Sequence, residues 1–161
     1  MEIERKFLIK HLPTNLSQYK YHMIEQGYLS RQPVVRIRKE DESYYLTYKG
    51  KGLMVREEYN LPLTKESYEH LLKKVDGTII SKTRYLIPYS CSYDTNGVEK
   101  QISFTIELDV FSGEYDGLLL AEVEFESEEL ANLFTPPEWF LEDVTFNKTY
   151  HNSNMAYGDF Q

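Results

Sequence analysis

Along this chain, apolar and polar residues alternate far more often than they recur at every third or fourth position. Residues 2–7 set the pattern: Glu2, Glu4 and Lys6 fall on one side of an extended segment, Ile3, Arg5 and Phe7 on the other. The alternation returns over 21–30, 34–40, 43–50 and 53–61, with a few turn-forming residues between runs. It resumes over 78–89. Asn96-Gly97 then predicts a hairpin turn into a long strand at 98–111, and a further strand follows at 118–126. Short links between successive strands predict an antiparallel meander.

Only one stretch has a strong helical period. Thr64 is placed to cap it, Tyr68, Leu71, Leu72 and Val75 recur at i, i+3, i+4 and i+7, and Gly77 is expected to end it. Ser127 opens a shorter helix with Glu128 and Glu129 in its first turn, and Pro136-Pro137 stops it. From Trp139 onward the pattern is weak and predicts a short helical segment. With no repeat, linker or low-complexity stretch, residues 1–161 read as a single mainly β (α+β) domain of about eight strands with a few peripheral helices.

Composition narrows the chemistry. Apolar residues at 41% and charged residues at 27% are ordinary for a globular domain, and 14 Tyr with 8 Phe favour strands. A net charge of −8 argues against a nucleic-acid surface but leaves room for a locally cationic pocket. The single cysteine, Cys91, excludes an internal disulfide framework and a cysteine-rich zinc site. His11, His22, His70 and His151 lack ligand spacing and read as structural or solvated. No apolar run approaches 18 residues and no charged-then-apolar leader is visible, so a cytoplasmic protein without membrane contact is expected.

The charged faces of the strands carry the information. Any half-exposed antiparallel sheet alternates, so alternation alone fits a solvated face. Here, though, single-sign doublets repeat: Glu2 and Glu4, Arg36 and Arg38, Lys82 and Arg84, Glu107 and Asp109, Glu122 and Glu124. Like charges neighbouring on a sheet face repel unless solvent or a ligand compensates them. Carboxylates clustered without His or Cys suit a hard cation such as Mg²⁺ or Mn²⁺, and Arg and Lys from several strands suit phosphate oxygens. If the sheet closes into a barrel with its charged face inward, a metal–polyphosphate complex satisfies both walls. A solvated face remains the other reading of the pattern.

At these residues the sequence resembles the CYTH proteins, the triphosphate tunnel metalloenzymes. The opening E-I-E-R-K-F looks like their E-x-E-x-K signature. Q-G-Y-L (26–29), V-R-I-R (35–38), T-Y-K-G (47–50), R-E-E-Y (56–59), K-T-R-Y (82–85) and A-E-V-E-F (121–125) follow in order. The resemblance implies a closed eight-stranded antiparallel β-barrel whose charged lumen binds a triphosphate with Mg²⁺ or Mn²⁺. It implies Glu2, Glu4, Glu122 and Glu124 as metal ligands. Lys6, Arg36, Arg38, Lys49, Arg56, Lys82 and Arg84 would hold phosphate oxygens, and Glu58, Glu107 and Asp109 would be acidic lumen positions without individual roles. The tail departs from the family pattern: V-T-F-N-K-T-Y-H-N (144–152) has Asn147 where an acid is usual and Thr149 where a base is usual, with Lys148 between them.

Triphosphate hydrolysis needs charge neutralisation and an in-line water more than a covalent nucleophile. The expected proton acceptor for the attacking water is Tyr28, with Lys82 nearby to lower its pKa, and Glu4 is the third catalytic residue expected. The favoured function is metal-dependent hydrolysis of tripolyphosphate or another triphosphate-bearing small molecule. An adenylyl cyclase, a nucleoside or thiamine triphosphatase, and a non-catalytic polyphosphate- or nucleotide-binding module are the alternatives. Neither nucleic acid nor membrane is expected as a partner, and the oligomeric state is left open.

Overall fold

The computed structural model describes residues 1–158. In chain order the elements are β1 (Glu2–Ile9), β2 (Lys20–Arg31), β3 (Val34–Glu40), β4 (Ser43–Lys49), β5 (Val55–Arg56), β6 (Glu58–Pro62), α1 (Lys65–Leu72), β7 (Asp76–Thr95), β8 (Val98–Ser112), β9 (Leu119–Glu124), α2 (Glu128–Leu133), β10 (Phe140–Asp143) and α3 (Asn152–Ala156). All strand pairs are antiparallel, and the main path runs β10-β1-β9-β8-β7-β2-β3-β4-β6. That path does not close on itself. The seam is bridged by β5, whose Val55 and Arg56 pair with Ile3 and Glu2 of β1.

β5 and β6 therefore behave as one strand broken at Glu57, its first part on β1 and the rest on β4. The expected uninterrupted strand at 53–61 is corrected accordingly. Changing partners across the seam interrupts the ladder, and the Glu57 carbonyl instead accepts from the Gly50 amide at 3.0 Å. Counted this way the ring has eight members, as the sequence predicts, with β10 added outside it on the far half of β1.

Two further expectations change. The first helix begins as predicted, with the Thr64 hydroxyl accepting from the Ser67 amide, but ends at Leu72. Val75 and Gly77 lie beyond it. Gly77, at φ +61°, is required because a Cβ there would sit 2.0 Å from the Ala156 carbonyl oxygen at the end of α3. The tail beyond Trp139 is not simply helical either. Phe140–Asp143 forms β10, and a 3₁₀ turn at Lys148–Tyr150 leads into α3. The short β10 is legible only through its partner, since Phe7 faces Asp143 and Ile9 faces Phe140 across the ladder.

The barrel has a polar inside and an apolar outside on one flank. Phe7, Ile106, Leu108, Val123 and Phe125 turn outward and are covered by Ala131 of α2 and by Phe134 and Phe140. The Phe134 ring lies 5.3–5.8 Å from those of Phe7, Tyr89, Phe104 and Phe125. Truncating such a buried ring costs on the order of 3–5 kcal/mol, enough to threaten a domain of this size.

The inward-facing rows run from charged to apolar: Glu4, Lys6, Leu8 on β1; Glu124, Glu122, Leu120 on β9; Glu107, Asp109, Phe111 on β8; Arg84, Lys82, Ile80 on β7. At the apolar end Tyr28, Val34, Ile80, Phe111, Leu120 and Val144 pack with Met155 and Ala156 of α3. The lumen is thus a cup, closed by α3 at one end and charged towards the other.

Candidate active site

The cup encloses a cavity of about 230 Å³. The twelve residues given roles from the sequence all line it: Glu2, Glu4, Lys6, Tyr28, Arg36, Arg38, Lys49, Arg56, Lys82, Arg84, Glu122 and Glu124; of the acidic positions without individual roles, Glu58 and Glu107 line it and Asp109 does not. Strand alternation brings them together, since each lies on the inward parity of its strand. Seven carboxylates face seven cationic side chains in this lining. That balance decides what the cavity suits: a bare anion would leave the acidic wall uncompensated, a bare cation the basic wall.

The acidic wall comes from β1, β8 and β9. Carboxylate oxygens of Glu4, Glu107 and Glu122 lie within 4.8 Å of one another. Burial, then the Glu122 charge, pushes the Glu4 carboxyl well above the usual carboxylate range. Burial opposes ionisation of Glu122 too, but Lys6, Arg84 and Lys82 and a hydrogen bond from Glu4 outweigh it and hold Glu122 well below that range. Glu4 and Glu122 thus converge where a cation would suit both. Glu2 and Glu124, expected as ligands, stand beside this trio. Glu2 receives the Lys49 ammonium at 2.9 Å, and burial with the neighbouring Glu58 raises it. Glu124 is exposed.

The basic wall divides in two. Arg84 is fully engaged: it forks onto Asp109 at 2.7 and 2.9 Å and reaches Glu107 at 3.1 Å and Glu122 at 3.5 Å. Asp109, with no exposed surface, also receives Lys82 at 2.7 Å. Burial favours a protonated Asp109, yet Arg84 and Lys82 hold it ionised below its ordinary range. Arg36 and Arg38, by contrast, have neutral partners. Arg36 donates to the Thr47 hydroxyl at 3.1 Å and Arg38 to the Gln26 carbonyl at 2.8 Å, with Glu40 only at 4.0 Å. The buried Arg36 Nε has no hydrogen-bond partner among the described residues. Burial, followed by the Arg36 and Arg84 charges, works against the charge on Arg38. Two buried guanidiniums without a carboxylate in close contact form a receptor for an oxyanion.

No hydrogen bond joins Tyr28 to Lys82 among the described residues. The Tyr28 hydroxyl accepts from Gln26 Nε2 at 3.0 Å, Gln26 Nε2 also donates to Asn152 Oδ1 at 3.1 Å, and Lys82 Nζ donates to the same oxygen at 2.9 Å. Gln26 and Asn152 therefore join the expected pair, and neither was given a role on sequence grounds. Asn152 is 126 positions from Gln26, and only the packing of α3 under the barrel brings them together. Burial lowers the Lys82 ammonium to about 7, with Arg84 and Arg38 adding to the effect and Asp109 and Glu122 opposing it. His151 is structural, as expected. Burial and Lys6 lower it to about 4, and the neutral ring donates from Nε2 to the Thr145 carbonyl at 3.1 Å. Lys148 is exposed and stays outside this cavity, so it does not replace the missing tail base here. No helix among the described residues is long and apolar enough to cross a membrane.

The chain is similar to known proteins in both sequence and fold. The CYTH domain family matches residues 1–153. An inorganic triphosphatase of Nitrosomonas europaea is 36% identical over 162 aligned positions, covering 96% of each chain. One of Acetivibrio thermocellus is 32% identical, covering 96% of this chain and 92% of the relative. A solved crystal structure of an inorganic triphosphatase superposes with a TM-score of 0.66 at 34% identity, over 98% of this chain and 95% of that one.

Proposed function

The chain belongs to the CYTH domain family, and from that premise we propose that it is a phosphohydrolase cleaving inorganic tripolyphosphate to pyrophosphate and phosphate with Mg²⁺ or Mn²⁺. The observation that carries this reading is the split of one small cavity into a carboxylate trio and two arginines lacking close acidic partners. The size of the cavity favours the inorganic substrate. At about 230 Å³ it lies below the roughly 300–1,000 Å³ typical of sites that enclose drug-sized organic ligands.

Glu4, Glu107 and Glu122 supply oxygen donors only, which fits a hard divalent cation, with Glu2 and Glu124 flanking them. A cation held there would screen the phosphate charges and stabilise the charge that builds on the leaving phosphate. The remaining work falls to the chain itself. Arg36 and Arg38 clamp phosphate oxygens with forked donors, and Lys6, Lys49 and Arg56 add charge around the chain of phosphates. Arg84 is fixed by Asp109 and so presents its charge without reorganising. Lys82, whose amine is unprotonated above about 7, is the proton acceptor for the attacking water. Tyr28, whose oxygen accepts from Gln26, turns its hydroxyl into the cavity to orient that water.

The test is phosphate release from tripolyphosphate, with ATP in parallel, in Mg²⁺, Mn²⁺ or EDTA, for wild type and Glu4→Gln. Metal-dependent release from tripolyphosphate that disappears in Glu4→Gln is expected. Equal turnover in EDTA, or faster turnover of ATP than of tripolyphosphate, would overturn the reading.

A further inference from the structure

Behind the cup lies a second, larger cavity that the proposed reaction does not use. It measures about 630 Å³, within the range of organic-ligand sites. Its walls are the turn between β2 and β3, the Gly50–Leu53 loop, and the segment around α3. Its lining differs in kind from that of the catalytic cavity. Arg31, Lys51, Arg56 and Lys148 contribute charge, while Pro33, Val34, Tyr48 and Leu53 contribute apolar surface, and no carboxylate belongs to the described lining. On a chain of net charge −8, a concave surface with cations and no acids is a departure that calls for a cause.

Lys51 and Lys148 are exposed, Leu53 and Tyr48 are half-buried, and Val34 is buried. The two lysines therefore lie at the rim, and Arg56 is half-buried beside Tyr48, Leu53 and the buried Val34. Neither lysine has a carboxylate within 4 Å among the described residues. The loop that carries Lys51 follows a fixed path. Gly52 sits at φ +120°, and a Cβ there would lie 2.1 Å from the Val55 carbonyl oxygen, so no other residue fits without moving the loop. Arg56, Val34 and Ser153 line both cavities, so the wall between them is thin.

We propose that this rear cavity is a binding site for a phosphorylated organic molecule, with its apolar or aromatic body against Tyr48, Leu53 and Val34 and its phosphate at Lys51, Lys148 and Arg56. Inorganic phosphate would leave the apolar interior unfilled, and an uncharged organic ligand would leave the lysines unpaired. A molecule carrying both groups uses the whole lining. The Lys51 and Lys148 ammoniums act as point charges on phosphate oxygens, and Arg56 offers a fork from the side of the catalytic cavity. The site stands independently of the proposed hydrolysis, because its residues apart from the shared wall take no part in it.

The test uses AMP, orthophosphate and adenosine as probes, titrated calorimetrically into the full chain in EDTA. AMP is expected to bind at one site, with orthophosphate and adenosine each at least about tenfold weaker. Lys51→Gln/Lys148→Gln should weaken AMP about tenfold or more while leaving tripolyphosphate turnover within about twofold, since both side chains are exposed and outside the catalytic cavity. Arg38→Gln, inside the catalytic cavity, should leave AMP binding unchanged. Orthophosphate binding as tightly as AMP, AMP binding indifferent to the double lysine change, or AMP binding lost in Arg38→Gln would each overturn the proposal. Calorimetry reads binding whether or not tripolyphosphate is hydrolysed, so failure of the proposed reaction leaves this test intact.

Discussion

The acidic and basic walls of the cavity are made the same way, from alternate residues of neighbouring strands, yet they deal with their charge differently. On the acidic wall, burial and neighbouring carboxylates push Glu4 and Glu2 above the usual carboxylate range, so both favour the neutral form more than a free carboxyl does. On the basic wall, Arg84 is neutralised by Asp109, Glu107 and Glu122, while Arg36 and Arg38 meet mainly hydroxyl and amide oxygens. A carboxylate can shed its charge by taking a proton near neutrality, but a guanidinium cannot lose one. The acidic wall can therefore relieve its own repulsion. The arginine pair cannot discharge itself and is left ready for an anion.

The most severe way to break this contrast is Glu4→Gln. It keeps the shape but removes an ionisable carboxylate from the trio. Tripolyphosphate hydrolysis in Mg²⁺ is expected to fall about a thousandfold, near 4 kcal/mol of transition-state stabilisation. Arg38→Gln attacks the other wall, and kcat/KM is expected to drop about a hundredfold, with metal affinity measured by titration nearly unchanged.

The proton acceptor sharpens the comparison further. Because the Lys82 ammonium titrates at about 7, the rate should rise about tenfold per pH unit below 7 and level off above it. Lys82→Arg, which keeps the charge at all accessible pH, should abolish that rising limb. The smallest effect is expected at Glu124. Its carboxylate is exposed and outside the trio, so Glu124→Gln should cost about tenfold or less, against a much larger loss for Glu107→Gln. Equal losses at Glu107 and Glu124 would place the cation nearer the rim than the trio suggests.

The sequence revealed which residues face inward, because a period of two is a local property and single-sign doublets make it visible. Arg36 with Arg38, and Lys82 with Arg84, could be paired off by eye for that reason. What it hid depends on partners far along the chain. Glu107 looked like one acid among several until the β8–β9 register set it opposite Glu122. Gln26 and Asn152 fall in stretches that resemble the family, but being uncharged they carried no doublet pattern to show that they would join Tyr28 to Lys82. Gly77 read as a helix stop because such glycines are common there, whereas its real constraint is the carbonyl of Ala156 pressed against it. The four residues of β10 carry too little pattern to be separated from loop without β1 beside them.

The pairing of β1 with both β5 and β9 also has a consequence in time. During synthesis, residues 2–9 are made before any of their ladder partners, since Val55 and Arg56 follow some fifty positions later and Leu120–Glu124 later still. Ladders of such long sequence separation form slowly, so this segment spends the interval as an unpaired extended stretch beside other nascent chains. Its inward face, Glu2, Glu4 and Lys6, then acts as a gatekeeper, because charges on a waiting strand discourage it from adding to a neighbour's sheet. Glu4→Gln removes one of these charges, so its yield of soluble protein and its turnover report on separate roles of one carboxylate.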